Sequence, residues 1–224
     1  MTAIDHAAPA AHPTAGQSRR LLMCGVVAGP LYLTVTAAQL LTRDGFDSAR
    51  HPLSLLSLGT FGWIQIANFV VAGVLFFAGA LGMRRVMVGG VGRTWGPRLI
   101  GFFALTLVWA GVFVPDPSDG FPTNSSVEAA PTMHGILHSV APVLAFLVLI
   151  AACVVFARRF FRQGHRGWAV YSAGVALALL APDVLIGRTG FTVALAAAAV
   201  VGWTWVSAIA LHLARSAGHH RGRA

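Results

Sequence analysis

Six apolar stretches, each close to the length of a membrane-crossing helix, divide this chain and leave little room for any other architecture. They are Leu21–Leu41, Gly62–Met83, Pro97–Val114, Met133–Ala157, Trp168–Ile186 and Phe191–Ala214. A bilayer's hydrocarbon core, roughly 30 Å thick, takes about 20 helical residues to cross. In hydrocarbon only helices and closed barrels satisfy every backbone amide, and these runs lack the period-two alternation of barrel strands. Pro97 suits the first turn of the short third run, where its missing N–H is not needed. The expected fold is all-α: an integral membrane bundle of six transmembrane helices over residues 21–214. A disordered tail rich in Ala, Pro and His is expected over residues 1–20, and a basic tail over 215–224. Composition agrees. Of 224 residues, 56% are hydrophobic and 10% charged, against about 25% charged in soluble domains. A water-soluble enzyme, a nucleic-acid-binding domain and a disordered chain are all disfavoured.

Charge supplies the expected orientation. All 16 basic residues are arginine, and they sit between the apolar runs, not along one face. With the N-terminus inside, thirteen arginines lie on the inner side and three, Arg43, Arg50 and Arg188, on the outer side. The acids are distributed the opposite way. Asp5 alone is inner; Asp44, Asp47, Asp116, Asp119, Glu128 and Asp183 are outer or at an outer helix end. Positive charge stays cytoplasmic in short connections, so both termini are expected in the cytoplasm of a plasma membrane. The expected partners are the lipid bilayer and its anionic inner-leaflet lipids, at about 1 kcal/mol per well-placed cation. Nucleic acid is not expected. Arg19 and Arg20 before an apolar run resemble a signal peptide, with Thr36-Ala37-Ala38 as a passable cleavage site. The run continues through Leu41, past the roughly 7–15 residues of a signal core, and is expected to be retained. Cys24 and Cys153 read as small apolar fillers, reduced near cytoplasmic helix ends. Trp63, Trp95 and Trp168 fall at helix ends, as interfacial residues do. Gly25 and Gly29 form a small-xxx-small pair for close helix packing.

Chemistry can gather only on the outer side, where His51, Asp116, Asp119, Glu128, His134, His138 and Asp183 lie. His165 and His212, on the inner side, read as interfacial or solvated. Thr132 can cap the fourth helix, which puts His134 and His138 at i and i+4 on one face, a zinc-ligand spacing. The glutamate of the H-E-x-x-H motif is missing. A zinc site built on His134, His138 and Asp116 therefore stands beside the plainer reading, a wet His134 and a His138 bonded to a neighbouring helix. The turn Val114-Pro115-Asp116-Pro117-Ser118-Asp119-Gly120-Phe121-Pro122 is rigid and could present Asp116 to the histidines or simply end the third helix. Asp183, after Pro182, reads as a snorkelling partner of Arg188 or a pocket acid. Asn124-Ser125-Ser126 matches a glycosylation sequon. His51–Gly59 brackets about two helical turns between Pro52 and Gly59, too short to span. Below it Gln65, Asn68 and Ala72 make one stripe on the second helix, either bundle glue or the lining of a small polar cavity.

Two blocks carry a family resemblance: His51–Gly73 (HPLSLLSLGTFGWIQIANFVVAG) and Phe113–His138 (FVPDPSDGFP…PTMHGILH). A His-x-x-Ser-x-Leu-Ser-Leu-Gly loop leads into Gly-Trp-x-Gln and Asn-Phe, followed by a Phe-x-x-Asp-Pro turn and Gly-x-x-His. This pattern resembles the bacterial multipass membrane-protein family called domain of unknown function 998, over about residues 21–214. The resemblance implies a multipass fold and no assigned reaction, and it makes His51, Asp116 and His138 motif positions.

The leading expectation is non-enzymatic: an outward-facing polar pocket, lined by Gln65, Asn68 and Asp183, that binds a lipid headgroup or small ligand. The alternative is a membrane-embedded hydrolase acting on a lipid ester or amide. Its candidates are His138, Asp116, His51 and Ser54, with a metal lowering the pKa of bound water or with His138 acting as base to Ser54 or Ser57. Haem is a weaker alternative, because His138 has only His51 near its depth. No midplane charge points to a transporter. Ligand and oligomeric state stay open.

Overall fold

A computed structural model describes residues 15–123, 130–184 and 190–219. It is all-helical among those residues. The helices are α1 (Ala15–Thr42), α2 (Gly62–Val86), α3 (Trp95–Val112), α4 (Met133–Arg162), α5 (Arg166–Ala178), α6 (Ala181–Val184) and α7 (Phe191–His219), with a 3-10 turn at Leu53–Ser57. Five of them, α1, α2, α3, α4 and α7, are long and apolar enough to cross a membrane. Large apolar side chains such as Val74, Phe77, Phe102, Leu147, Val170 and Leu177 cover the exterior. Such a surface is far too apolar to face water, and the chain is a multipass membrane protein.

The fifth apolar run departs from the sequence expectation of one helix over Trp168–Ile186. It stops at Ala178, turns, and resumes as the four-residue α6. Pro182 is the cause. A continuous helix would bond residue 182 N to the carbonyl of Ala178, and proline has no N–H to give while its ring crowds that carbonyl. The last regular rung is Leu179 N to Val175 O at 3.0 Å, and Leu180 N then drops back to Leu177 O at 3.2 Å. At the other end of the chain, α1 begins at Ala15, upstream of the expected Leu21.

Helices adjacent in sequence pack together: α1 on α2, α2 on α3, α3 on α4 and α4 on α5, with α7 closing the ring against α1. The packing is antiparallel, as facing residues show. A Cβ on Gly79 of α2 would sit 2.8 Å from the Gly25 Cα of α1, and one on Gly82 would sit 2.8 Å from Leu22 N. Gly29 meets α7 in the same way, 2.6 Å from Ser207 Oγ and 2.8 Å from Trp203 O. The Gly25/Gly29 pair therefore brings α1 against two neighbours of its own chain. Ser207 uses this closeness. Its hydroxyl accepts from Gly29 N at 3.2 Å and donates to Gly25 O at 3.0 Å, bridging one rung of α1 beside Pro30.

Trp203 of α7 sits at the hub. Its ring meets Phe103 of α3 at 4.8 Å, Tyr32 of α1 at 5.8 Å and Phe146 of α4 at 6.2 Å. The antiparallel order collects Arg19, Arg20, Arg84, Arg85, Arg98, Arg158, Arg159, Arg162 and Arg166 at one end of the bundle. One of these is not a surface charge. Arg159 is buried, and its Nη1 donates to Gly89 O at 3.1 Å and Val91 O at 2.9 Å, pinning the α2–α3 connection. Trp63 and Trp95 are exposed at helix starts.

The Gly25–Gly79 contact yields a prediction. Gly79→Val forces a branched side chain into backbone and should destabilise the bundle by about 1–3 kcal/mol. Thermal unfolding in detergent, followed by size-exclusion chromatography, reads the loss; an unchanged transition would show that α1 and α2 do not meet there.

Candidate functional site

The motif residues converge at the end of the bundle opposite the arginines, and most of them fasten the connections together. His51 Nδ1 accepts from Asp47 N at 2.9 Å, so the ring proton lies on Nε2, which donates to Asp119 O at 3.1 Å. Phe46 and Phe121 contact the same ring at 5.3 and 5.5 Å. Arg43 donates to Leu58 O and lies over Phe121, 5.6 Å from the ring centre. The α1–α2 connection is thus buckled onto the turn after α3, and the burial of His51 follows from that buckle. Asp119 and Gly120 take positive φ, +54° and +84°, which presents the Asp119 carbonyl to His51.

A second clasp joins α3 to α4. Thr132 caps α4 by accepting from Gly135 N at 3.1 Å. The cap is itself held by Asp116: Thr132 Oγ1 donates to Oδ1 at 2.6 Å, and Thr132 N to Oδ2 at 2.9 Å. Any Cβ on Gly135 would collide with this carboxylate, which explains the glycine of Gly-x-x-His. One turn further, His138 Nδ1 contacts Phe113 O at 2.6 Å, so Nδ1 carries the proton and the ring is fixed to the exit of α3. His134 is exposed and its ring lies tilted against Phe113, 5.4 Å between ring centres.

These contacts bear on the metal expectation. Among the described residues, no group of three or more His, Cys, Asp and Glu side chains is placed to hold a metal ion. His134, His138 and Asp116 are not assembled as ligands. Asp116 is turned to Thr132 and His138 to the Phe113 carbonyl. Glu128, the sequon at Asn124, Arg188 and the Asp183 side chain lie outside the described residues.

The polar stripe of α2 faces α1. Gln65 and Asn68 are buried. Gln39 Nε2 donates to Gln65 Oε1 at 2.7 Å, and Gln65 Nε2 donates to the Tyr32 hydroxyl at 3.1 Å. Asn68 Nδ2 donates to Tyr32 O at 3.1 Å and Thr36 Oγ1 at 3.2 Å. In a low-dielectric interior an unpaired amide is expensive, so these groups bond one another across the helix pair, with the Gln39 Oε1 left buried and without a partner. Sequence reasoning missed Tyr32, Thr36 and Gln39, though their spacing puts all three on one face of α1.

The open space lies elsewhere, between α3, α4, α7 and the 3-10 turn. An inner cavity of about 90 Å³ is walled by apolar residues, including Leu107, Ala141, Ala145 and Trp203. A larger groove of about 550 Å³ adjoins it and reaches Asp116 and Leu179. Pro52, Ser54, His138, Pro142, Phe146 and Leu195 line both. Gln65 and Asn68 line neither. Ser54 comes from the short turn that the sequence reading placed over the bundle, and His138 from the α4 motif; they are the two candidate residues that the cavity and the groove share.

The rings at the arginine-rich end form their own group. His212 packs against Trp168 at 4.6 Å, Phe160 at 5.3 Å and His165 at 5.7 Å. His212 is half-buried in it, not simply solvated.

The family described as protein of unknown function (DUF998) matches residues 26–212. The chain belongs to this family. No curated protein and no solved structure matches it.

The Asp116 clasp gives a pH prediction. The Thr132 hydroxyl, and then its backbone N–H, hold the Asp116 carboxyl below the ordinary carboxylate range. A depressed carboxyl stabilises the folded state above that range, and the contribution is lost as pH falls through the lowered value. Asp116→Asn should therefore unfold at a lower temperature than wild type at neutral pH, with the gap closing in acid. A gap independent of pH would mean that charge plays no part in the clasp.

Proposed function

We propose that this DUF998 member is a bacterial plasma-membrane protein of six crossings, with both chain ends cytoplasmic and a ligand chamber facing the other side. The arginine asymmetry supports the orientation. For the sixth crossing, α5 rises roughly 20 Å at about 1.5 Å per residue, and α6 beyond its break would extend the segment toward the roughly 30 Å of a hydrocarbon core. The arginine-rich end would then rest against an anionic leaflet.

The chamber reading rests on one observation: the apolar cavity and the wider groove meet at Ser54 and His138. An apolar recess with a few polar groups at its mouth suits an amphipathic guest, its chain inward and its headgroup at the mouth. Ala145, 4% exposed on the inner wall, offers the test. Ala145→Phe should fill the inner cavity and remove compounds recovered by organic extraction of the purified wild type, while the protein stays folded. Equal recovery from both proteins, or nothing from wild type, would end this reading.

Hydrolysis is the second reading, favoured by the same pair. With Nδ1 held at Phe113 O, His138 Nε2 would take the Ser54 proton as Oγ attacks a lipid ester carbonyl. The leaving alcohol would receive that proton, and water, deprotonated by the same nitrogen, would then attack the acyl-serine, releasing the carboxylic acid and returning the Ser54 hydroxyl. A fluorophosphonate probe should label wild type and not Ser54→Ala; labelling that survives the substitution rules out Ser54 as nucleophile. Reporter fusions at both chain ends test the orientation, and opposite compartments would overturn it.

A further inference from the structure

At the arginine-rich end, α4 and α5 are joined by a tight turn. His165 N donates to Phe160 O at 2.9 Å, and Gly164 takes φ +78°. The two helices leave this turn as a wedge that holds a groove of about 500 Å³, lined by Ala157, Arg158, Phe161 and Arg162 of α4 and by Ala169, Val170 and Ala173 of α5. Three alanines keep the floor shallow. Phe161 and Val170, 71% and 72% exposed, form apolar walls that water would penalise and acyl chains would cover.

The two charges at this groove are unusual for an apolar surface. Arg158 and Arg162 stand one turn apart on the same face, where like charges repel. Both are exposed, and no carboxylate is among the residues lining the groove. Guanidinium is a planar fork that matches phosphate oxygens and keeps its charge at any physiological pH. A second hairpin repeats the design: the α2–α3 groove is lined by Phe77, Ala80, Gly101 and Leu105, with Arg84 and Arg98 beside them.

We propose that the α4–α5 groove is a binding site for one anionic phospholipid, its phosphate between Arg158 and Arg162 and an acyl chain along Ala169 and Ala173. The site needs both features at once. A free phosphate would gain the charges but not the apolar walls; a neutral phospholipid would gain the walls and leave two guanidinium groups short of a counter-charge. The inference builds on the reading that this end meets an anionic leaflet, and adds that one lipid is held in place and not merely attracted.

Native mass spectrometry of the full chain, released from micelles containing phosphatidylglycerol or phosphatidylcholine, separates the two ideas. Wild type should retain phosphatidylglycerol in preference to phosphatidylcholine, and added inorganic phosphate should not displace it. Arg158→Gln with Arg162→Gln should lower retention by roughly tenfold or more, and Arg158→Lys with Arg162→Lys should restore most of it. Arg19→Gln with Arg20→Gln removes the same charge at the start of α1 and should leave retention unchanged. Equal losses from both glutamine pairs would leave a diffuse field and overturn the site. No loss from either would overturn the site and the leaflet reading together. A wild type that appears as dimers, with its groove arginines protected from arginine-specific labelling, would assign the groove to a second copy instead.

Discussion

A backbone amide in hydrocarbon has no water to turn to, and each departure from regular helix must find its partners within the protein. Pro30 and Pro142 sit inside continuous helices, and beside Pro30 the Ser207 hydroxyl bridges Gly25 and Gly29 from a neighbouring helix. Pro182 has a different outcome, a helix that stops at Ala178. The same constraint governs side chains. Tyr32, Thr36, Gln39, Gln65 and Asn68 bond one another between α1 and α2, because a buried amide left alone is costly, and the Gln39 Oε1 is left there without a partner. Glycine makes this possible by letting backbones approach until hydroxyls reach across.

At the end away from the arginines, polar side chains serve the connections first. His51 ties one loop to the carbonyl of another, and Asp116 holds the residue that caps α4. Both motif blocks thereby become one lid over the bundle. The 3-10 turn rides on this lid, with Leu55 and Leu56 buried beneath it, and Ser54 is delivered to the mouth of the cavity. His138 performs two tasks at once, anchoring α3 to α4 through Nδ1 while lining the space between them.

The apolar runs were legible in the sequence because lipid imposes a length on them, and five of the six correspond to long helices. The helix begun at Ala15 was not, since hydropathy registers only the part that meets hydrocarbon and α1 continues past it through Gln17 and Arg19. The break at Pro182 could have been read from the proline, which sits late in its run, unlike Pro97 at the start of another. Gln65 and Asn68 stood out as polar residues in an apolar helix, but their partners are a tertiary choice that no local pattern encodes. Arg159 shows the same gap: it looks like its surface neighbours Arg158 and Arg162, and only the approach of the α2–α3 connection makes it a buried donor. The cavity was least legible of all, because a void is set by what fails to fill space between α3, α4 and α7.

Pro142 lies four residues beyond His138 on α4, and both line the cavity and the groove. Proline cannot supply the amide that the His138 carbonyl would otherwise receive. α4 thus lacks one rung of its helical ladder, at the very residue whose ring ties it to the exit of α3.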